Sequence, residues 1–190
     1  MDDAREAERE LVDAVLANRP GAFERLVREY RGLCWHIIQR MVRNPEDVRE
    51  LCQDTFLRVY QCLRQYRGEC ALKSWIGRIA WTIAARHLQR KHIPLVDDAD
   101  DDEPLLDNVA DRFDLEAAYA SDETMRHLQE AIESLPPLQR TLLTLYYLEE
   151  MPISDIASVT GMANGTIKSH LFRSRLRLRG ALEARAGVAT

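Results

Sequence analysis

The sequence predicts an all-α protein of two small helical domains joined by an acidic linker. Three observations carry that expectation. Apolar residues recur at three- and four-residue spacing through both ends of the chain, and no β-alternation of useful length occurs. Charge is segregated: residues 1–93 hold 17 basic and 13 acidic side chains, 94–124 hold 12 acidic and only Arg112, and 125–190 hold 8 basic and 6 acidic. Turn residues (Asn18 to Gly21, Asn44-Pro45, Gly68, Pro136-Pro137) fall between the periodic stretches. The expected division is therefore 1–93, a linker at 94–124, and 125–190, which suits a chain of 190 residues.

The first domain reads as four helices. Residues 5–17 are charged and periodic. Residues 22–42 place Phe23, Leu26, Val27, Tyr30, Leu33, Ile37, Ile38 and Met41 at helical spacing. Asn44 is a candidate cap and Pro45 a first-turn residue for a helix running to about Tyr66, with Val48, Leu51, Cys52, Thr55, Phe56, Val59, Cys62 and Leu63 as its inward stripe. Gly68 ends it. Residues 72–91 form the fourth, with Ile76, Ile79, Ala80 and Ile83 inward and basic residues at its C-terminus, as the helix dipole favours. The linker, with its aspartates and Pro94 and Pro104, has too little apolar surface for a core.

The last third carries the most specific pattern. A helix from Met125 to Leu135 stops at the two prolines, and a second runs from Leu138 to Glu149. A helix-turn-helix needs a small residue where its helices cross, a glycine four positions on for the turn, and a β-branched anchor six further. Ala157, Gly161 and Ile167 meet that spacing. Ile153 and Ile156 supply the first helix's buried face, and His170 stands at a position expected to be apolar. At about 100° per residue, Ile167, Leu171, Ser174 and Leu178 share one side of the second helix. Gly165, Ser169, Phe172 and Leu176 lie opposite, flanked by Lys168 and Arg173. Lys and Arg can donate to guanine or phosphate, Phe can touch a thymine methyl, and Gly165 lets backbone approach a phosphate. Between Thr166 and Arg185 stand six basic residues and one acid, Glu183, so this block is read as DNA-binding.

Other chemistries find little support. Asp97 to Glu103 could begin a calcium loop, but its sixth and twelfth positions hold Asp102 and Asn108 rather than Gly and Glu. Cys34 and His36 have no second pair at zinc-ligand spacing. No nucleophile–base motif, phosphate loop or paired catalytic carboxylate stands out, so neither enzymatic activity, nor a cofactor, nor a metal is expected. No run approaches the about 20 apolar residues of a membrane span, and MDDAREAERELVDAV is too charged for a signal peptide. A cytoplasmic chain with reduced thiols is expected, its four cysteines showing no CxxC pairing.

Two segments together resemble a known family. SLPPLQRTLLTLYYLEEMPISDIASVTGMANGTIKSHLFRSRLRLRGAL is similar to region 4 of the extracytoplasmic-function (ECF) sigma factors, and EDVRELCQDTFLRVYQCLRQYRGECALKSWIGRIAWTIAARHLQRKH to their region 2. Their order matches as well, over roughly residues 10–183. The resemblance implies a subunit that binds core RNA polymerase and recognises promoter DNA, a monomer when free, without cofactor, and commonly held by an anti-sigma factor. It implies that the acidic helix face bearing Asp47, Glu50, Gln53 and Asp54 meets a coiled coil of the largest polymerase subunit, where carboxylates would pair with arginines. It implies that the loop from Arg67 and the next helix read the −10 element through Arg67, Lys73, Trp75, Arg78, Trp81, Thr82, Arg86 and Arg90. Capturing a flipped base needs a small polar pocket, aromatics for stacking and cations for phosphate. Trp75 is read equally as a core residue or a stacking surface, and Thr82 stands where many relatives carry asparagine. For the −35 element, the resemblance points to Gly165, Thr166, Lys168, Ser169, Phe172, Arg173 and Arg177, with Lys168 a point charge rather than a bidentate fork. It also allows the linker to run along the polymerase's RNA channel. A self-sufficient helix-turn-helix regulator and a sigma-like adaptor without promoter activity are the alternatives.

Overall fold

The structure, a computed structural model, describes residues 2–96 and 122–186. The expected linker lies almost wholly outside the described residues. Helices α1 (Asp2–Leu16), α2 (Ala22–Met41), α3 (Pro45–Cys62) and α4 (Leu72–Arg90) form the first block, with a 3₁₀ turn at Leu63–Gln65 closing α3. The second block holds α5 (Asp122–Ser134), α6 (Pro137–Leu143), α7 (Ile153–Thr160) and α8 (Asn164–Ala186). There is no strand among the described residues.

Local chemistry accounts for the boundaries. The Asn44 side chain accepts from the N–H groups of Glu46 and Asp47 at 2.8 and 3.3 Å, and Pro45 fills the first turn of α3, where no N–H is needed. The start of α4 is satisfied from a distance: the Leu72 N–H donates to Glu8 Oε2 at 3.0 Å, so a carboxylate of α1 serves as its cap. Nothing in the local sequence announces that partner, because it stands 64 residues away.

Helix α2 is the central element. Leu26, Leu33, Cys34, Ile37, Ile38 and Met41 are buried along it, and it packs against α3, α4 and α6. The two blocks are not separate: α7 lies along α4 and α6 lies on α2, in one continuous apolar core. Gly77 sets the spacing of that seam, since a Cβ built there would stand 3.2 Å from Val159 Cγ2 of α7.

The expected single helix over Leu138–Glu149 is interrupted. After Leu143 the chain widens into a π turn over Thr144–Leu148, where the Glu149 N–H donates to the Thr144 carbonyl at 3.0 Å. Sequence periodicity gives little sign of such a turn, because one extra residue only shifts the apolar register. The helix-turn-helix itself is as its spacing predicts. Ile156 and Ile167 are fully buried, and Gly161 adopts φ 76° while its N–H closes α7 on the Ala157 carbonyl at 2.8 Å. No atom lies within 4 Å of where a Gly161 Cβ would stand, so its cost would come from the backbone alone. Gly161→Ala is expected to lower unfolding free energy by about 1–2 kcal/mol, the penalty for a side chain in left-handed backbone. Urea denaturation followed by circular dichroism checks it, and an unchanged midpoint would contradict it.

Candidate nucleic-acid interface

Helix α8 presents two faces. Ile167, Leu171, Ser174 and Leu178 are buried at 0–2% exposure, and the Ser174 hydroxyl donates to the His170 carbonyl at 2.6 Å. His170 is buried on this side too, which explains why its position reads as one for an apolar residue. Gly165, Thr166 and Lys168 are exposed; Ser169, Phe172 and Arg173 are half-buried on the outward side. The side chains further along are tied back to α6 and its π turn. Arg175 Nη1 donates to the Tyr147 hydroxyl at 3.3 Å, and Arg177 Nη1 to Oε1 of the buried Gln139 at 3.2 Å. Arg177, expected to touch DNA, is thus also part of the packing that fixes α8 on α6.

Helix α4 and the loop before it bring together most of the residues expected at the −10 element. The Tyr66 hydroxyl donates to the Cys70 carbonyl at 2.7 Å, which holds the loop from Arg67. The Tyr66 ring lies against Trp75, with centroids 5.5 Å apart and planes tilted by 58°. Trp75 is half-buried, so one part of the indole packs and another meets solvent. Arg78, Arg86 and Arg90 are exposed along one side of α4. With Arg58 and Leu57 of α3, and with Ile79 and Ile83, they line an open groove of about 840 Å³. The Thr82 hydroxyl donates to the Arg78 carbonyl of its own helix at 2.7 Å.

Two of the expected −10 residues are engaged elsewhere. Trp81 is 8% exposed and faces the seam with α7. Its position follows Gly77 by four and precedes Ala84 and Leu88 by three and seven, all buried, so helical geometry points its ring inward. In this arrangement it is a seam residue rather than an exposed stacking surface. Lys73 is held by Glu149. Its Nζ lies 2.8 Å from Glu149 Oε2 and donates to the Glu149 carbonyl at 2.8 Å, while His36 Nδ1 is 2.6 Å from Glu149 Oε1. Burial acts to raise the Glu149 pKa, but the hydrogen bonds from Lys73 and His36 outweigh it and hold the carboxyl below its ordinary range. No feature of the local sequence marks Glu149 for this role; it depends on the π turn and on the packing of two distant blocks.

The acidic face of α3 is divided. Glu50, Gln53 and Asp54 are exposed, with Asp54 at the edge of the α3–α4 groove. Asp47 is turned toward the end of α4, 3.3 Å from His87 Nε2 and 3.8 Å from Lys91 Nζ. The sequence places Asp47 one helical turn before Glu50 but cannot show that α4 supplies cations beside it.

Two further arginines, one from each block, meet at one carbonyl of the second. Arg43 Nη2 and Arg140 Nη1 both donate to the Glu133 carbonyl near the end of α5, at 3.0 and 3.2 Å. Arg140 is buried, and burial, followed by repulsion from Arg43 and Arg40, lowers its pKa.

No helix among the described residues is long and apolar enough to cross a membrane. Comparison with known families matches residues 26–92 to Sigma-70 region 2 and residues 125–178 to Sigma-70, region 4. The chain is 30% identical over 184 residues to the RNA polymerase sigma-H factor of Pseudomonas aeruginosa, covering 94% of this chain and 95% of that one. It is 31% identical over 170 residues to the ECF RNA polymerase sigma-E factor of Escherichia coli K12, covering 87% and 88%. Among solved structures, the fold is similar to CnrH in complex with the cytosolic domain of CnrY, with a TM-score of 0.63 at 21% identity over 94% of this chain and 98% of that one. It is equally similar to the sigma factor RpoE in complex with the anti-sigma factor NepR from Bartonella quintana, with a TM-score of 0.63 at 17% identity over 86% and 98%. With both regions matched in order and relatives aligned over nearly their full length, the chain belongs to the ECF-type RNA polymerase sigma factors.

Proposed function

We propose that this chain binds core RNA polymerase and directs initiation at promoters whose −10 element is read by the first block and −35 element by the second. The recognition helix supports this most. Its buried side is fixed by Ile167, Leu171 and Leu178, which leaves Lys168, Ser169, Phe172 and Arg173 on the side away from the core. A helix anchored in that way can enter a major groove with its first turns, where a lysine, a serine, an aromatic ring and an arginine meet base edges and phosphates. Gly165 and Thr166 stand where backbone approaches the DNA strand, and Arg177 stands further along.

On the first block, Arg67, Arg78, Arg86 and Arg90 supply cations for a single strand, and Trp75 a ring for a displaced base. Thr82 offers a hydroxyl to that base. Lys73 joins them once released from Glu149. Glu50, Gln53 and Asp54 form the surface for polymerase, with Asp47 at its margin. The role is one of binding and positioning, carried out in the cytoplasm by a chain that is monomeric when free and performs no chemical step. Residues 1–93 and 125–190 serve as the two functional blocks, and 94–124 links them. CnrH and RpoE were solved with protein partners, CnrY and the anti-sigma factor NepR, and a regulator of that class is proposed here.

Run-off transcription with purified core polymerase on a promoter-containing fragment library tests the whole reading. Transcripts that require the chain are expected; none above core polymerase alone would overturn it.

Two substitutions test its parts. Reversing charge at two exposed positions, Glu50→Arg with Asp54→Arg, is expected to abolish co-purification with core polymerase while leaving thermal unfolding of the chain within a few degrees. Undiminished co-purification would remove these carboxylates from the polymerase surface. In the recognition helix, Arg173→Ala is expected to relax discrimination among single-base −35 variants by about 1–3 kcal/mol at one position. Arg179→Ala, a turn and a half further on, should weaken all variants alike and reduce the salt slope by about one unit. A panel of −35 variants transcribed by each protein separates the two. Equal scaling of every promoter by Arg173→Ala would make it a backbone clamp.

A further inference from the structure

The start of α3, the end of α4 and the start of α6 border a cavity of about 580 Å³. One part of its lining is the chain just after α4. There the Leu138 N–H donates to the Leu95 carbonyl at 3.0 Å, which brings Ile93 and Pro94 beside the first turn of α6. Leu88, Ile93, Leu135 and Pro136 make the lining partly apolar, and Ile93 is 46% exposed. Arg43, Lys91 and Arg140 are its permanent cations and Asp47 its one carboxylate. Asp47 is engaged by His87 and Lys91, at 3.3 and 3.8 Å.

Arg140 is the unusual member of this lining. It is 5% exposed, and its Nε is buried without a hydrogen-bond partner among the described residues. A buried donor left unpaired is costly, and more so on a charged group. Burial and the neighbouring Arg43 and Arg40 all act against its charge, which the exposed Glu133 side chain offsets only in part. Arg43 Nη2 and Arg140 Nη1 converge on a single main-chain oxygen, that of Glu133. A carbonyl carries partial charge only, so two guanidiniums stand together with most of their donors turned elsewhere.

We propose that this cavity binds a small organic phosphate, its oxygens on Arg140, Arg43 and Lys91 and its apolar body against Ile93, Leu88 and Leu135. Three cations against one carboxylate leave an excess of two positive charges, which matches a phosphate monoester of about −1.5 to −2 at neutral pH. Guanidiniums receive phosphate oxygens through paired N–H donors. The volume falls in the range of about 300–1,000 Å³ usual for small-molecule sites. A nucleic-acid backbone needs cations spaced along a track, whereas Arg43 and Arg140 meet at one point. None of these cations is among the residues assigned above to promoter DNA. A bare inorganic ion would leave the apolar lining uncovered.

The test uses the full chain, because Arg43 and Arg140 come from different blocks. Isothermal titration calorimetry at fixed ionic strength takes naphthyl phosphate as the probe, with inorganic phosphate and naphthol as its two halves. Saturable one-to-one binding of naphthyl phosphate is expected, at least about tenfold tighter than that of either half. Arg140→Gln is expected to weaken it by at least about tenfold and Arg43→Ala by about fivefold, through lost charge-assisted hydrogen bonds. Ile93→Ser should weaken naphthyl phosphate by about threefold and leave inorganic phosphate unchanged. Circular dichroism shows which variants are folded. Arg43 and Ile93 are exposed, so their variants decide the matter if Arg140→Gln does not fold. No saturable binding of naphthyl phosphate, or binding undiminished by the arginine substitutions, overturns the site. Naphthol binding as tightly as its phosphate overturns the anionic contacts. Inorganic phosphate binding as tightly, or an unchanged affinity in Ile93→Ser, overturns the apolar ones and with them the organic ligand. The result is independent of run-off transcription, which tests the promoter reading by itself.

Discussion

The structure depends on how many neighbours one helix accepts. Helix α4 packs against α2 on one side, α3 on another and α7 on a third. A helix so enclosed needs small residues where its neighbours come closest, and Gly77, Ala80 and Ala84 provide them. What remains for solvent is a strip bearing Arg78, Arg86 and Arg90, so the exposed surface of α4 is cationic because its other surfaces are spent on packing. The same enclosure explains why a tryptophan is drawn inward at position 81 while the one at 75, beside the loop, stays half outside.

A few charged groups bridge elements of the fold. Asp47 meets His87 and Lys91, Glu149 meets Lys73 and His36, and the Glu133 carbonyl gathers Arg43 and Arg140. Each joins elements distant in sequence. Ion pairs that stay partly wet contribute little to stability. The apolar residues beneath them do the holding.

Helix positions, the cap at Asn44, the turn at Gly161 and the buried side of α8 were all legible in the sequence. They follow from local rules: a cap lies two or three residues from the groups it satisfies, and a helical face repeats every three or four. The stripe Ile167, Leu171, Ser174, Leu178 illustrates this, since its inward orientation needs only the period of a helix. What could not be read depends on contacts across the fold. Glu149 looks like an ordinary acid after a leucine-rich helix, Asp47 like one of four similar acidic or amide residues, and Trp81 like one more aromatic beside arginines. Only the approach of α7 to α4, and of α4 to α3, gives each its partner. The π turn belongs with them, since periodicity tolerates one extra residue without visible change.

The bond from the Leu72 N–H to Glu8 has a practical reach beyond its own geometry. It makes the amino-terminal helix a clamp on the entry to the arginine-bearing helix, alongside the Tyr66 hydroxyl on the Cys70 carbonyl. Any handle attached ahead of α1 that unwinds its first turns would loosen this clamp from a distance. Affinity tags and fluorescent fusions placed there would thus alter the very loop they were meant only to report on. The far end of α8 is the better point of attachment, because neither partner of this clamp lies on it.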